Sequence, residues 1–563
     1  MRRSSLFSAI CGLPLLLGGG FVAHAQVALP AGVEESVLAR SPFSTGLISS
    51  NAGGLSGDIW KDARSDDLVF LLKHAPARPE IPAIGDGLRR VLLTSATAPN
   101  DATTELDGAK LVALARLGFL DEARTIASLS SAPQSDPQVG QALATADLSE
   151  GKLDEACKRS DRLTTGRDDP FWVKLRVICY MAAGETDAAD LTLELLRESG
   201  ALDLHEQPLF EALVTGVDLK EPPEILTATD LAIRRLIKAP VLSSALAKAD
   251  GGVIISIARD ASVDFQLRLM AAVESVALGV MSRTEFSNLM KSVSFEPSEI
   301  ASARAALSDG PTTVFNDAKV FQAIEQMQAP EFLRDKATLI AGALGAADTL
   351  PRAFALATLY RPEVQSLEGA LLTPYEAGQF ALANLAVGDA PAAARWLNMM
   401  AGGGLSSLEE DAAIRAITLI NYLALLDPEG AELVASSANV AIKDPRTPGD
   451  ASIDVNDEAT ARLFTSVLDA ATDRIEGQAA LSAIAISSAD GLGNPLMRSI
   501  IDRSLKIAQL PDLAGRVRFE TAWQNEFFGS PFDRAEESQT PRRNGTTNEQ
   551  DGFGPRLKPS SSD

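Results

Sequence analysis

Three short phrases decide how this chain is built: Leu117-Gly118-Phe119-Leu120-Asp121-Glu122-Ala123, Glu150-Gly151-Lys152-Leu153-Asp154-Glu155-Ala156 and Ala183-Gly184-Glu185-Thr186-Asp187-Ala188-Ala189. Glycine recurs at 118, 151 and 184 and alanine at 123, 156 and 189, a constant interval of 33 residues. A fixed period of this size marks a solenoid, in which each unit needs its neighbours to bury its apolar face. Gly118 follows the apolar run Leu111 to Leu117 and supplies the positive φ that ends a helix at little cost. The acidic residues after it favour the partly positive start of a second helix. The small alanine then falls where two antiparallel helices come closest.

Gly, any residue, a mostly apolar residue, Asp, any residue, Ala resembles the turn of a tetratricopeptide repeat. The resemblance covers the end of the first helix, the turn and the start of the second in three consecutive units. It returns at Val387-Gly388-Asp389-Ala390-Pro391-Ala392-Ala393. Leu143-Ala144 stands at the family's Leu-Gly position and Tyr180 at its tyrosine, while Trp172 is one residue out of register and the closing prolines are missing. The resemblance implies an all-α chain, a right-handed α-solenoid of antiparallel helical hairpins.

The first 25 residues read as a secretory signal: Arg2 and Arg3, an apolar stretch from Leu6 to Val22, and the small-residue cleavage site Ala23-His24-Ala25, so that the mature chain begins at Gln26. An uncleaved membrane anchor is the rival reading, since about 20 apolar residues span a bilayer. Cys11 precedes most of the apolar region, which argues against a lipoprotein anchor. No later stretch is apolar enough to cross a membrane, so the expectation is a periplasmic or secreted protein with no membrane span after signal removal. Residues 26–57, rich in Gly, Ser and Ala, read as an extended lead-in. Residues 58–218 read as tetratricopeptide-like repeats, 219–365 as divergent hairpins and 366–528 as C-terminal helical repeats. Residues 529–563 are too polar to offset the entropy of ordering and are expected to form a disordered tail. In the middle block Phe265 to Leu278 should pair with Thr284 to Val293 about Gly279, with Ser282-Arg283-Thr284-Glu285 as a capping box. Thr373-Pro374-Tyr375-Glu376 is a second such box, and Ser407-Leu408-Glu409-Glu410 should start a further helix.

Without the signal, 49 basic residues face 75 acidic ones, a formal charge of −26. Such a surface repels nucleic acid and anionic lipid, and acidity of this kind keeps an exported protein soluble. Aromatic residues are only 5% while alanine and leucine dominate, a balance that suits thin, closely spaced helix pairs better than sandwiches or barrels.

Little in the sequence points to chemistry. Cys157 and Cys179, the cysteines of the mature chain, fall on neighbouring antiparallel helices at similar distances from the intervening loop. That permits a disulfide in an oxidising compartment, with two small buried thiols as the alternative. His74 and His205 are far apart and show no metal-ligand spacing, so no metal or other cofactor is expected. There is no GxSxG elbow, phosphate-binding loop or dinucleotide fingerprint. Glu274-Ser275 resembles the Glu-Ser dipeptide of cell-wall lytic enzymes that carry an α-superhelical region, but Glu-Ser also occurs at Glu35, Glu198 and Glu537. The expectation is therefore a non-enzymatic scaffold that binds a protein or peptide partner on a concave surface formed by Leu111 to Arg116, Gln138 to Thr145 and Lys174 to Tyr180. A structural or self-associating envelope component is the second reading, and a peptidoglycan-lytic enzyme the third.

Overall fold

The computed structural model describes residues 40–131, 135–219, 224–442, 458–487 and 492–528, apart from Gly369. The expected signal, its cleavage point at Ala25 and Gln26, the first part of the lead-in and the tail lie outside the described residues. Among the described residues the chain is all-α, with 25 α-helices, no β-strand and one isolated bridge between Ile48 and Thr94.

Helices α1 (Ser65–His74) and α2 (Pro82–Leu93) precede the phased part, which contains α3 (Thr104–Leu117), α4 (Leu120–Leu129), α5 (Pro137–Ser149), α6 (Leu153–Arg162), α7 (Pro170–Ala183) and α8 (Thr186–Glu198). Thr103, Asp136 and Asp169 start α3, α5 and α7 by accepting from backbone N–H groups of the first turn, and Pro137 and Pro170 sit where a missing N–H costs nothing. The turn glycines 118, 151, 184 and 388 have φ of 101°, 76°, 79° and 76°. Ala123, Ala156, Ala189 and Ala393 have no exposed surface, so any larger side chain would push the paired helices apart.

The middle of the chain forms α9 (Gln207–Thr215), α10 (Ala228–Ile237), α11 (Gly251–Arg259), α12 (Phe265–Ala277), α13 (Arg283–Met290), α14 (Pro297–Ala306), α15 (Val314–Glu325), α16 (Leu333–Gly345) and α17 (Leu350–Ser366). The last part forms α18 (Pro374–Ala386), α19 (Ala390–Ala401), α20 (Glu410–Leu426), α21 (Pro428–Ala438), α22 (Glu458–Asp473), α23 (Glu476–Ile486), α24 (Pro495–Ile507) and α25 (Pro511–Trp523). The capping box at Thr373 and Glu376 forms in both directions. At Ser282 only the serine half forms, because the Glu285 carboxylate is drawn to the Arg259 guanidinium (2.7 Å). Helix α20 starts at Glu410, later than the Ser407 start, because Ser407 Oγ bonds back to the Gly404 carbonyl.

Two features depart from a stack whose units meet only their neighbours. The lead-in residues 40–57 are docked: Phe43 is buried, and Lys110 Nζ on α3 donates to the carbonyls of Phe43 (2.9 Å) and Thr45 (2.7 Å). Burial lowers the Lys110 pKa from 10.5 to about 7 against the opposing charge of Asp107. A neutral amine keeps two N–H groups for those two carbonyls.

The first helices also pack on the last. Helix α1 lies against α23, and α2 lies against both α23 and α25. The Ala83 N–H, an orphan donor at the start of α2, donates to Glu520 Oε2 on α25 (2.6 Å). Arg516 meets Asp86 (2.9 Å), Arg90 meets Asp512 (2.6 Å), and the Gly477 N–H donates to the Ile59 carbonyl (2.8 Å). One apolar core therefore runs from Phe43 to Trp523, and two small satellite cores underlie α5 to α10.

Candidate binding cleft

The segments expected to line a groove are largely buried. Leu111, Leu114, Ala142, Ala144, Leu175 and Val177 have no exposed surface, and α10 and α11 pack across the helices that carry them. Gly251 and Gly252 open α11 directly on the end of α3. A Cβ at Gly252 would stand 2.5 Å from the Ala115 carbonyl oxygen, and one at Gly251 would overlap that of Leu117. Glycine at these two positions is what lets the helix seat there.

Where α5, α10 and α11 end, the covering leaves an open cleft of about 800 Å³. Helix C-termini present unpaired carbonyls and the negative end of the dipole, so basic side chains gather there. Arg235 donates to the Leu148 and Ser149 carbonyls at the end of α5 (2.7 and 2.9 Å), and Arg234 donates to the Ala239 carbonyl (2.6 Å). Lys152, Lys238 and Arg259 complete five cationic side chains, against the two carboxylates Glu150 and Asp260.

Those charges differ in how far they are committed. Burial lowers the pKa of Arg235, and Asp260 lies 3.5 Å from it. Burial would raise Asp260, yet the bonds from Ser262 and the nearby Arg235 and Arg234 hold it below its ordinary value. Arg259 is raised by its bond to Glu285. Glu150 is lowered in spite of burial, by Arg124 and Lys152. Lys238 stands exposed at the αL residue that ends α10 (φ 56°), with no ion pair among the described residues. The Ser149 hydroxyl, fully buried at the cleft wall, has no hydrogen-bond partner among the described residues. Lys238 also borders a neighbouring cleft of about 580 Å³ walled by Met181, Leu213, Val217, Leu236 and Ile237. An anionic group entering at Lys152 and Lys238 would thus find apolar walls beside it.

No run of basic residues announces this cleft. Its cations come from four separate places in the chain, and only Arg234-Arg235 are adjacent.

The other expected positions fall as follows. Cys157 on α6 and Cys179 on α7 are joined by a disulfide, with Cα atoms 5.7 Å apart, so the bond ties the second hairpin to the third. Glu274 is held by Arg78 (2.9 Å), and Ser275 is buried with its hydroxyl on the Ala271 carbonyl. His74 Nδ1 lies 2.7 Å from the Phe70 carbonyl, with its ring against Phe70. His205 stands beside Glu206 and within 3.6 Å of Asp230, a proximity that no sequence spacing announces. No described helix is long and apolar enough to cross a membrane. No protein-family model matches the chain, and neither curated proteins nor solved structures show a significant match to it.

Proposed function

We propose that this chain is an exported helical-repeat scaffold that binds a protein or peptide partner without catalysis of its own, and that the cleft at the ends of α5, α10 and α11 takes an acidic segment of that partner. The observation that carries the proposal is the sign of the charge. In a chain of formal charge −24, five cations line one concavity, and the exposed Lys238 has no ion pair among the described residues. Complementary charge of this kind steers encounter and fixes register more than it adds raw affinity. Apolar walls next to it give the partner's neighbouring side chains a place to bury. The disulfide fits an oxidising compartment outside the cytoplasm.

A fluorescent peptide of alternating Glu and Leu, titrated by anisotropy, tests the proposal. The Lys152→Gln/Lys238→Gln variant should bind roughly 30-fold more weakly, from about 1 kcal/mol for each water-facing charge removed. Unchanged affinity in that variant, with its fold intact by circular dichroism, would refute the proposal. A self-associating structural role is the second reading. It rests on Leu191 and Leu195, which are 75% and 55% exposed on the outward face of α8. Sedimentation of wild type against Leu191→Ser/Leu195→Ser distinguishes the two, because only the second reading makes oligomers depend on those leucines.

A further inference from the structure

We propose that His205, Glu206 and Asp230 form a binding site for a divalent transition-metal ion of the Zn²⁺ type, which would clamp the start of α9 to the start of α10. The three side chains each offer one ligand atom, and those atoms lie within 4.8 Å of one another. An imidazole with two carboxylates is a donor set that zinc accepts at about 2.0–2.2 Å, leaving a fourth position for water. Donors bound to one ion sit closer together than 4.8 Å, so the side chains would draw in around it.

A second, independent observation points to the ion. Asp230 is completely buried, yet its Oδ1 has no hydrogen-bond partner among the described residues, and the buried Nε2 of His205 has only the Asp230 carboxylate facing it, at 3.6 Å, too long for a hydrogen bond. A buried carboxylate oxygen with no donor is rare, and an ion between it and the imidazole would satisfy both.

The supports of the site are already in place. Asp230 Oδ2 accepts from the Leu226 N–H (3.1 Å), the Thr227 N–H (2.9 Å) and Thr227 Oγ1 (3.0 Å), which fixes the carboxylate plane as the third residue of the α10 capping box. Glu206 Oε2 accepts from Lys174 Nζ (2.6 Å) and from the Asp203 N–H (3.0 Å), so the metal would take the other oxygen. Such outer contacts orient ligands and tune affinity. Two carboxylates against one ammonium leave a net negative charge when the imidazole is neutral, so a divalent ion is not repelled. A proton on His205 is its competitor, pairing with Asp230 in the metal-free protein.

The test uses untagged protein treated with a chelator and dialysed at pH 7.5, then titrated calorimetrically with Zn²⁺ and, in parallel, with Co²⁺ read by its visible absorption. We expect one equivalent of Zn²⁺ bound with micromolar affinity or tighter, a visible cobalt band, and about a tenfold or greater loss of affinity in His205→Gln. His74→Gln, at the other histidine, should bind like wild type. Circular dichroism establishes that both variants are folded, and His205 caps no helix, so its replacement spares the start of α10. Absence of binding, or equal affinity in wild type and His205→Gln, would overturn the assignment.

Discussion

Replacing both bonded cysteines, as Cys157→Ser/Cys179→Ser, should weaken the third hairpin far more than the rest of the molecule. The bond closes a loop of 22 residues, which in the chain-entropy account removes about 11 cal/mol/K from the unfolded chain, or about 3 kcal/mol at 25 °C. The location concentrates that loss. Helices α6 to α8 rest on the two satellite cores, one built around Trp172 with Ala144, Leu148 and Leu175, the other around Val177, Leu193 and Phe210. Neither shares the long core that holds α18 and α19, so opening α6 to α8 leaves the larger body folded. Hydrogen exchange read by mass spectrometry at peptide resolution is the suitable assay. Peptides from α7 and α8 should lose roughly 100-fold in protection, while peptides from α18 and α19 stay within experimental scatter. An unchanged α7, or an equal loss in α18, would refute both the size of the entropic effect and the independence of the satellite cores.

Three further outcomes follow from buried groups. Arg352 and Asp317, 2% and 1% exposed, form two 2.7 Å bonds. Asp317→Ala should cost about 3 kcal/mol by denaturant midpoint, at the low end for a broken buried pair because Thr312 and Asp348 still contact the guanidinium, and adding Arg352→Met should recover more than half. Burial raises the Glu520 pKa from 4.5 to about 7, with Arg516 and the Ala83 N–H only partly offsetting it. The folded state then holds a proton that the unfolded state has lost between those values. Stability should therefore fall by about 3 kcal/mol as pH rises from 4.5 to 7, and Glu520→Gln should flatten that slope in urea titrations across the window. A Cβ at Gly477 would meet the Trp60 ring at 2.6 Å and the Ile59 carbonyl at 2.7 Å, so Gly477→Ala should cost about 1–3 kcal/mol by thermal or urea unfolding, although alanine favours helices elsewhere.

Local instructions were legible in the sequence because they act over a few residues. A glycine after an apolar run and an Asp or Thr two or three residues before a backbone N–H state their own geometry, and the turns at 118, 151, 184 and 388 follow from that chemistry. The pairing of Cys157 with Cys179 was within reach because both flank one loop. What covers those hairpins was not legible. Gly251 and Gly252 look like ordinary small residues until the Leu117 and Ala115 carbonyls are set against them. Glu520 reads as one more surface carboxylate until α2 presents the Ala83 N–H. The lead-in shows no period, yet Lys110 reaches back from α3 to seize two of its carbonyls. The cleft cations are equally silent, since each is placed by a helix end and only the packing of three helices gathers them. Partners 422 to 437 residues apart, as at Arg90 and Asp512 or Ala83 and Glu520, leave no trace in any window of the sequence short enough to carry a period.

The meeting of the first helices with the last closes the long core, and one crosslink tests it. In an Arg90→Lys variant a zero-length carbodiimide should couple position 90 to Asp512, because Arg90 and Asp512 touch at 2.6 Å. Lys73 and Glu105, 2.7 Å apart between α1 and α3, serve as the internal control. Mass spectrometry of the monomer should recover both amide-linked peptide pairs. Recovery of the Lys73–Glu105 link without any link between position 90 and Asp512 would contradict the account.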